Sequence, residues 1–378
     1  MRVLVVTVVH DPQDARIRHR QMRSLLDVGH DVTFAAPFRA YDRSPPDGVR
    51  GVDLPRAVGR RRLAALRAAR TVLRRERDRH DLVLLHDPEL LLALPGVRGL
   101  PPVVWDVHED TAAAVEMKQW VPRPLRHSAS WAVLRAERLA ERHVHLTLAE
   151  YGYVDRFARE HPVVPNTVPV PVAEPPAPGR ERVVYLGRIT LERGGLDMIA
   201  LARALPPGVR LELVGPADPD VRPAIEAAAA AGDLRWHGFV PNDVALGVLQ
   251  EAAVGLSLLH DQPNYAHSRG TKLMEYMANG VPVVTTPNPA AAELVERYDA
   301  GLVVPFNDPD AVVAAVRRLV EDDGLRESLG RGGRTAAVAD LDWRVAGAAF
   351  VAQLERWATP PPHPTSPPTP HPTPHLPH

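Results

Sequence analysis

Two arginines five residues apart follow an apolar run in the second half of the chain. The run ends at Gly187, Arg188 and Arg193 come next, and glycines then precede a helical pattern. Exposed amides at a helix N-terminus attract phosphate, and arginine adds bidentate, charge-assisted hydrogen bonds. The segment therefore favours a diphosphate-binding loop, although taken alone it is equally typical of two solvated arginines in a turn.

A second segment predicts another helix N-terminus. Residues 269–284 read as a loop, a helix capped by Thr271 and closed by Gly280, and a buried strand. Thr271 and Glu275 are four residues apart and so share one helix face. A phosphate on the terminal amides and a ribose diol on the Glu275 carboxylate would both be within reach of this helix.

Three Asp-x-Asp tripeptides raise the question of a metal, because carboxylates are ligands for hard cations. They are Asp218-Pro219-Asp220, Asp308-Pro309-Asp310 and Asp340-Leu341-Asp342. The first two precede helical patterns with proline in the first turn, which is typical of N-caps. We therefore expect no essential metal and no cofactor.

The elements that must position these residues follow from an alternation of short apolar runs with helical patterns. Such an alternation predicts an α/β fold with parallel sheets and crossover helices. The runs are Val3–Val9, Val32–Ala36, Leu82–Leu85, Val103–Val107 and His145–Ala149, and then Val183–Leu186, Arg210–Val214, Leu234–His237, Gly255–Leu259, Val281–Thr285 and Leu302–Val304.

Prolines crowded between positions 162 and 178 interrupt the alternation and exclude a helix or a central strand there. We predict a Rossmann-like domain over residues 1–165, a linker over 166–181 and a second Rossmann-like domain over 182–341. A helix over 342–358 would return towards the first domain, and the Pro-, His- and Thr-rich tail 359–378 would stay outside the function. Ligands of two such doubly wound domains bind in the cleft at the carboxyl ends of their sheets.

Composition excludes several classes of function. The 378 residues carry a net charge of −1, so no global field favours nucleic acid, and they contain no cysteine for disulfides, thiolate metal sites or thiol nucleophiles. The opening Val3–Val9 run is short and lacks a cleavage site, so it reads as a strand rather than a secretory signal. No apolar stretch approaches the roughly 20 residues of a membrane helix, and we expect a cytoplasmic protein.

Nine arginines between positions 60 and 79 share a stretch with leucines at helical spacing. The pattern predicts a basic amphipathic helix. A solvated arginine-rich face on a helix that packs on the core is the preferred interpretation, and peripheral contact of the Arg60–Arg79 helix with anionic lipid on the inner face of the membrane is the alternative.

At the two predicted phosphate-binding segments, residues 187–195 and 269–284, the chain resembles family 4 glycosyltransferases. The second domain of that family carries a strand that ends in glycine and arginine, a basic residue five positions further on, and a helix with an acidic residue. In the first half, His10–Ile17, His86–Leu90 and Trp105–Glu109 resemble acceptor-domain segments of a bacterial branch, and Pro165–Val168 resembles the interdomain Pro-Asn segment. The resemblance covers nearly everything before the tail. It implies a GT-B architecture, with two Rossmann-like domains facing a central cleft, and retaining transfer from a nucleoside-diphosphate sugar to an acceptor hydroxyl.

The resemblance also implies roles for individual residues. His108 would face the transferred sugar and the departing phosphate, although a histidine flanked by acids is by itself more often structural. Arg188 and Arg193 would stabilise the charge on the leaving diphosphate. The implied donor-binding residues are Gly187, Arg188, Arg193, His267, Gly270, Thr271, Lys272 and Glu275, and the acceptor-side candidates are His10, Asp14, Arg16, His86 and Asp87.

Two departures from the family pattern affect the donor site. The family usually has a glutamate eight positions before Glu275, where this chain has His267, so either the donor is unusual or Asp261 or Ser268 substitutes. Arg193 stands where the family usually has lysine, which keeps the charge but replaces a point ammonium by a planar fork.

Two rival functions use the same architecture. A sugar-nucleotide epimerase would bind the donor without needing an acceptor, and a non-catalytic partner of another transferase would explain the loss of the glutamate at His267. Arg188, Arg193, Glu275 and His108 are all present together, which favours the transferase.

Overall fold

Two parallel sheets of the same strand order form the framework of the protein in a computed structural model, which describes residues 1–108, 123–266 and 269–359. The first sheet has the order β3-β2-β1-β4-β5-β6. Its strands are β1 (Arg2–Val6), β2 (Asp31–Ala36), β3 (Arg50–Asp53), β4 (Leu82–Leu85), β5 (Val103–Val107) and β6 (His145–Leu148). The order reverses between β1 and β4, which opens a crevice at their carboxyl ends.

The second sheet has the order β12-β11-β10-β7-β8-β9, and every strand pair in both sheets is parallel. Its strands are β7 (Arg182–Leu186), β8 (Arg210–Val214), β9 (Leu234–Trp236), β10 (Val254–Ser257), β11 (Val283–Thr285) and β12 (Gly301–Val303). Here the reversal falls between β7 and β10, and the predicted phosphate loop follows β7. The expected α/β class with two Rossmann-like sheets is confirmed.

Helices cover both sheets. In the first half a π-helical segment, Ala15–Met22, runs into α1 (Arg23–Asp27), followed by α2 (Arg62–Glu76) and α3 (Arg123–Ala140). The second half contains α4 (Gly195–Ala204), α5 (Arg222–Ala230), α6 (Asn242–Val248), α7 (Thr271–Ala278), α8 (Pro289–Arg297), α9 (Pro309–Glu321), α10 (Asp323–Asp340) and α11 (Trp343–Ala358). No described helix combines the length and the apolar character needed to cross a bilayer.

Apolar layers on both faces of each sheet hold the helices in place. Val3, Val5 and Leu25 share one buried cluster with Phe350 and Leu354, so α11 packs on the first sheet although it ends the described chain. Trp343 Nε1 also donates to Ser24 Oγ at 2.9 Å. The last helix thereby ties the second half of the chain back to the first, while the tail from residue 360 onward lies outside the described residues.

Several local predictions are corrected by the structure. Asp218 is not an N-cap, because α5 begins at Arg222 and the Asp218 carboxylate instead pairs with Arg188. Asp308 does cap its helix, with its side chain accepting from the amide of Ala311. The edge strand β3 was missed, since its four residues are mostly exposed and lack an apolar run.

The arginine-rich helix buries a different face from the one that its leucines suggest. Ala65, Ala69, Val72 and Leu73 are buried, whereas Leu63 is 66% exposed. Small residues form the contact face because α2 lies close to the segment Pro88–Ala93. The leucine at the start of the helix is therefore left on the surface among the arginines.

Candidate active site

Three histidines meet at the carboxyl edge of the first sheet. His10 follows β1, His86 follows β4 and His108 follows β5, and these three strands are neighbours. The Nε2 atoms of His10 and His108 are 3.1 Å apart, and the ring centroids of His86 and His108 are 5.7 Å apart. Parallel strands deliver their following loops to the same edge, so residues almost a hundred positions apart become a cluster.

Asp87 anchors the loop that carries His10. Its carboxylate accepts from His10 Nδ1 at 2.6 Å, from the Thr7 hydroxyl at 3.0 Å and from the backbone amides of Val8 and Val9. Burial by itself would raise the pKa of the Asp87 carboxyl. The contact with His10 and the hydrogen bonds from Thr7 and Val8 have the larger combined effect and hold this pKa below its usual value. Asp87 is fully buried and so positions His10 rather than meeting a ligand itself.

A buried ion pair supports the histidine cluster from below. Arg16 donates to both oxygens of Asp106, with Nε–Oδ2 at 2.7 Å and Nη2–Oδ1 at 2.8 Å, and it also reaches the carbonyl of Val164 at 3.0 Å. Thr147 donates to the same carboxylate at 2.8 Å. Burial disfavours the Asp106 charge, but Arg16 overcomes that cost and holds the pKa of Asp106 well below its usual range.

The remaining acceptor-side candidates also lie in this support. Asp14 caps the π-helical segment by accepting from the amides of Arg16 and Ile17. His86 is buried with its Nδ1 atom 3.5 Å from Asp106 Oδ2, neither ring nitrogen forms a hydrogen bond within the part of the chain that the structure describes, and burial lowers its pKa. Arg16 supports Asp106 on the strand that carries His108, Asp14 caps the segment that carries Arg16, and the two partly exposed histidines, His10 and His108, are the groups at the rim.

The donor-side loop lies at the corresponding edge of the second sheet. Gly187 ends β7 with φ +114°, a backbone conformation that glycine adopts without strain. A Cβ atom on Gly215 would fall 2.1 Å from the carbonyl oxygen of Gly187, so the backbones after β7 and β8 can approach this closely only because residue 215 has no side chain. Arg188 is exposed and forms two hydrogen bonds to Asp218, at 2.5 and 3.0 Å, and Arg193 is partly buried beside it.

The helix α7 faces this loop with its N-terminus. Gly270 with φ +53° is the N-cap residue and supplies no side-chain hydrogen bond, so the predicted capping by Thr271 is wrong. Thr271 is instead the first helical residue, and the amide of Leu273 donates to the Gly270 carbonyl at 3.1 Å, which leaves the amides of Thr271 and Lys272 at the start of the helix for a ligand. Glu275 lies one turn further on, where burial raises its pKa while Arg20 and Lys272 act in the opposite direction.

Arg20 was missed by sequence reasoning and connects the two halves at this point. It lies on the π-helical segment of the first half, yet it donates to the Asn166 side chain of the interdomain segment and feels the charge of Glu275. Burial lowers its pKa to about 10, against the attraction of Glu275. Its helical position carries no motif, so only the fold reveals it.

Glu150 was also missed. It lines an interdomain cavity together with Asn166, Arg269 and Tyr298. Burial raises its pKa to about 7, opposed by Arg269 and Arg16. His267, the predicted replacement of the family's glutamate, lies outside the described residues.

Among the described residues one group has the ligand types of a metal site. His86, Asp106 and His108 place one ligand atom each within 4.8 Å of one another. However, both Asp106 oxygens already accept hydrogen bonds from the Arg16 guanidinium. A divalent cation there would lie against a buried positive charge, which opposes its binding.

Comparison with known proteins agrees with this geometry. Residues 172–336 match the family model for glycosyl transferases group 1. The phosphatidyl-myo-inositol mannosyltransferase of Mycolicibacterium smegmatis is 28% identical over 360 residues, which cover 88% of this chain and 86% of that protein. Sucrose-phosphate synthase from Thermosynechococcus elongatus superposes with a TM-score of 0.72 at 19% identity, covering 94% of this chain and 98% of that one. The Anabaena protein HepE in complex with UDP-glucose gives 0.69 at 15% identity, covering 94% and 100%.

The two facing Rossmann-like sheets and these matches define a glycosyltransferase of the GT-B fold. Residues 172–336 carry a domain of the glycosyl transferases group 1 type, the expected family 4 is consistent with these matches, and the chain transfers a sugar from a nucleotide sugar.

The buried ion pair leads to a stability prediction. We expect Asp106→Asn to lower the free energy of unfolding by about 3 to 5 kcal/mol at neutral pH, because Arg16 is left as an uncompensated buried charge. The folded-state pKa of Asp106 is depressed, so its stabilisation is complete above the unfolded pKa and is lost as the pH falls through the folded one. The gap between wild type and variant should therefore narrow only below about pH 4.

Urea denaturation across this pH range measures the effect. Asp233→Asn is the matched control, because Asp233 pairs with Arg203 at 2.8 Å on the surface, and such pairs contribute less than about 1 kcal/mol. An Asp106→Asn protein as stable as this control would contradict the buried-pair interpretation.

Proposed function

We propose that the chain is a retaining glycosyltransferase whose second domain binds the nucleoside-diphosphate sugar and whose first domain presents an acceptor hydroxyl. The observation that carries the proposal is the approach of the Gly187 loop to the first turn of α7, where a Cβ atom on Gly187 would lie 3.7 Å from Lys272 Nζ. This brings the amides of Thr271 and Lys272 close to the basic side chains of Lys272 and Arg193. Glu275 lies one turn further along the same helix, so the ribose of a nucleotide whose phosphates bind at the start of the helix would be within reach of its carboxylate.

Arg188 and Arg193 act on the leaving group. Both can place positive charge where the diphosphate gains negative charge as the glycosidic bond breaks, which is electrostatic catalysis without a covalent step. Arg188 is held by Asp218 when the donor is absent, and this pair is exposed, so exchanging the carboxylate for a phosphate costs little. The guanidinium forks bidentately to either group.

His108 serves the sugar side. It lies at the end of β5, and its Nδ1 faces the backbone carbonyl of Asp106 at 3.1 Å, which fixes the ring while Nε2 meets His10. We infer that the His10–His108 pair faces the transferred sugar and the oxygen of the departing phosphate. Retention then follows from attack of the acceptor on the face that the diphosphate leaves, with that phosphate accepting the acceptor proton.

The acceptor is a hydroxyl compound, and the mannosyltransferase relative supports a polyol or glycolipid acceptor. We propose no metal requirement, because the one described cluster with suitable ligands is compensated by Arg16. The rival functions make different products: an epimerase converts one sugar nucleotide into another without an acceptor, and a non-catalytic partner turns over nothing.

Nucleotide binding tests the donor site. We expect UDP or GDP to raise the melting midpoint of the wild-type protein, since a ligand that binds only the folded state stabilises it. Glu275→Ala should weaken the same nucleotide by about 10- to 100-fold, because a buried carboxylate that accepts ribose hydroxyls is lost. Arg193→Ala should weaken it to a similar extent by removing a phosphate ligand.

Thermal shift and calorimetry measure both effects. Glu226→Ala, an exposed change on α5, is the matched control and should bind as the wild type does. No shift with any nucleoside diphosphate, in the presence of a folded protein, would remove the donor assignment and favour the non-catalytic alternative.

Turnover tests the role of His108. We expect His108→Ala to retain UDP or GDP affinity within about threefold but to lower the rate of nucleotide release from the sugar donor by ~100-fold, since one preorganised transition-state contact is removed. His143→Ala, an exposed histidine on the far side of α3, should keep the wild-type rate. The assay is run with and without EDTA, and a loss of rate in EDTA would disprove metal independence.

Membrane contact is a separate proposal. The exposed arginines of α2 lie beside two leucines, Leu63 and Leu92, which are 66% and 69% exposed. A basic face with exposed apolar side chains suits an anionic lipid surface. We infer that α2 and the neighbouring segment Pro88–Ala93 approach the membrane that holds a lipid acceptor.

Vesicle co-sedimentation at low salt tests this contact. Replacing Arg67, Arg74 and Arg75 by glutamine should reduce binding to phosphatidylglycerol vesicles by at least about tenfold, since each basic residue near such a surface contributes about 1 kcal/mol. The matched control replaces Arg317 and Arg318 on α9 by glutamine and should leave binding unchanged. Equal binding to neutral and anionic vesicles would contradict the proposal.

A further inference from the structure

Lys272 stands out by residue type. Lysine and arginine together number 45, and only Lys118 and Lys272 are lysines. The two side chains differ in one property that matters inside a protein: a buried lysine can release its proton, whereas arginine remains charged. The presence of a lysine on α7 in an arginine-rich chain therefore indicates a position that requires a side chain able to lose its charge.

The surroundings of Lys272 provide no hydrogen-bonded counter-charge within the part of the chain that the structure describes. Its Nζ atom is shut off from solvent and has no hydrogen-bond partner among the described residues. The atom lies 3.8 Å from the centroid of the Tyr185 ring. On the other side it lies against the phosphate loop, since a Cβ atom on Gly187 would come within 3.7 Å of it.

The charged groups around this amine are of both signs. Arg193, on the loop after β7, repels a charge on Lys272, while Glu275, one turn along α7, attracts it. Glu275 is in turn attracted by Arg20 from the first half of the chain, and Tyr185 contributes only its ring face. Burial is the largest effect and holds the pKa of the Lys272 amine well below its usual range.

A diphosphate would reverse this balance. A diphosphate bound to the Gly187 loop and to the amides at the start of α7 would place about two negative charges near Nζ, separated from it only by the backbone of the loop. The low dielectric of these surroundings strengthens the attraction. The diphosphate would also engage Arg193 and so cancel the charge that repels a proton from Lys272. The same amine that is stable without a proton in the free protein then becomes the natural place for one.

We propose that Lys272 is a neutral amine in the empty donor site and takes up one proton from solvent when the donor diphosphate binds. Donor binding and protonation of Nζ are then a single linked event, in which one N–H bond forms and no other bond changes. The inference rests on the proposed function, because it takes the Gly187 loop and α7 as the diphosphate site. It adds that the site is kept free of an uncompensated buried cation until the substrate supplies the compensating charge.

Calorimetric titration with UDP, and with GDP in parallel, tests the linkage. At about pH 8 the nucleotide is already fully ionised and contributes no proton. In buffers of different ionisation enthalpy we expect the wild type to take up about one proton per bound nucleotide. Its affinity should fall as the pH rises from about 7 to 9, because the bound state holds the extra proton.

Substitutions assign the proton. Lys272→Arg should bind without proton uptake, since arginine is charged in both states, and Lys272→Met should lose the uptake together with at least about tenfold in affinity. Glu226→Ala is again the control and should keep both. Binding by the wild type without proton uptake, or equal uptake by Lys272→Arg, would overturn the proposal.

A measurement on the free wild-type protein guards against variants that fail to fold. Selective 13Cε-lysine labelling yields two side-chain resonances, which Lys118→Arg assigns, and their shifts report protonation of each amine. We expect Lys272 to give the signal of a neutral amine at about pH 8 and that of an ammonium after UDP is added. An ammonium signal in the free protein overturns the inference even if UDP binds, whereas failure of all nucleotides to bind removes the proposed function instead.

Discussion

The buried pair between Arg16 and Asp106 is the interaction on which the sugar side of the cleft depends. It joins the π-helical segment to β5, and its third hydrogen bond, to the carbonyl of Val164, extends it to the interdomain segment. Both partners are almost fully buried, so neither charge is tolerable without the other. Two histidines lie next to this pair: His108 at the rim is two residues after Asp106, and the buried His86 lies 3.5 Å from its carboxylate.

The π-helical segment Ala15–Met22 contributes side chains to both sides of the cleft. Arg16 and Arg20 are four residues apart, yet Arg16 serves the first sheet and Arg20 contacts Asn166 and approaches Glu275 of the second domain. The wider turn of a π-helix changes the angle at which successive side chains leave the axis, and such segments recur at functional sites. One short element thus connects the acceptor edge to the donor carboxylate.

Buried charged groups are compensated differently at the carboxyl edges of the two sheets. In the first domain two buried carboxylates are compensated within the protein, Asp87 through its contact with His10 and Asp106 through Arg16. In the second domain the start of α7 presents backbone amides and the buried amine of Lys272, which has no hydrogen-bond partner among the described residues, and Glu275 is a neighbouring carboxylate that attracts a charge on this amine. This imbalance is what a site for an anionic substrate requires, since the ligand completes the compensation.

The sequence alone determined the fold class and the phosphate loop, because both are local: apolar runs of strand length alternate with helical patterns, and Gly187, Arg188 and Arg193 are close neighbours in the chain. It also indicated His108 and Glu275, although through family resemblance rather than through spacing. Tertiary structure decided that Asp218 binds Arg188 instead of capping a helix, that Arg20 approaches Glu275, and that Lys272 Nζ has no hydrogen-bond partner among the residues that the structure describes. Each of these depends on which side chains meet across elements far apart in the chain, and on how much water reaches them. Residue type and spacing do not encode the desolvation that turns an ordinary lysine or aspartate into a functional group.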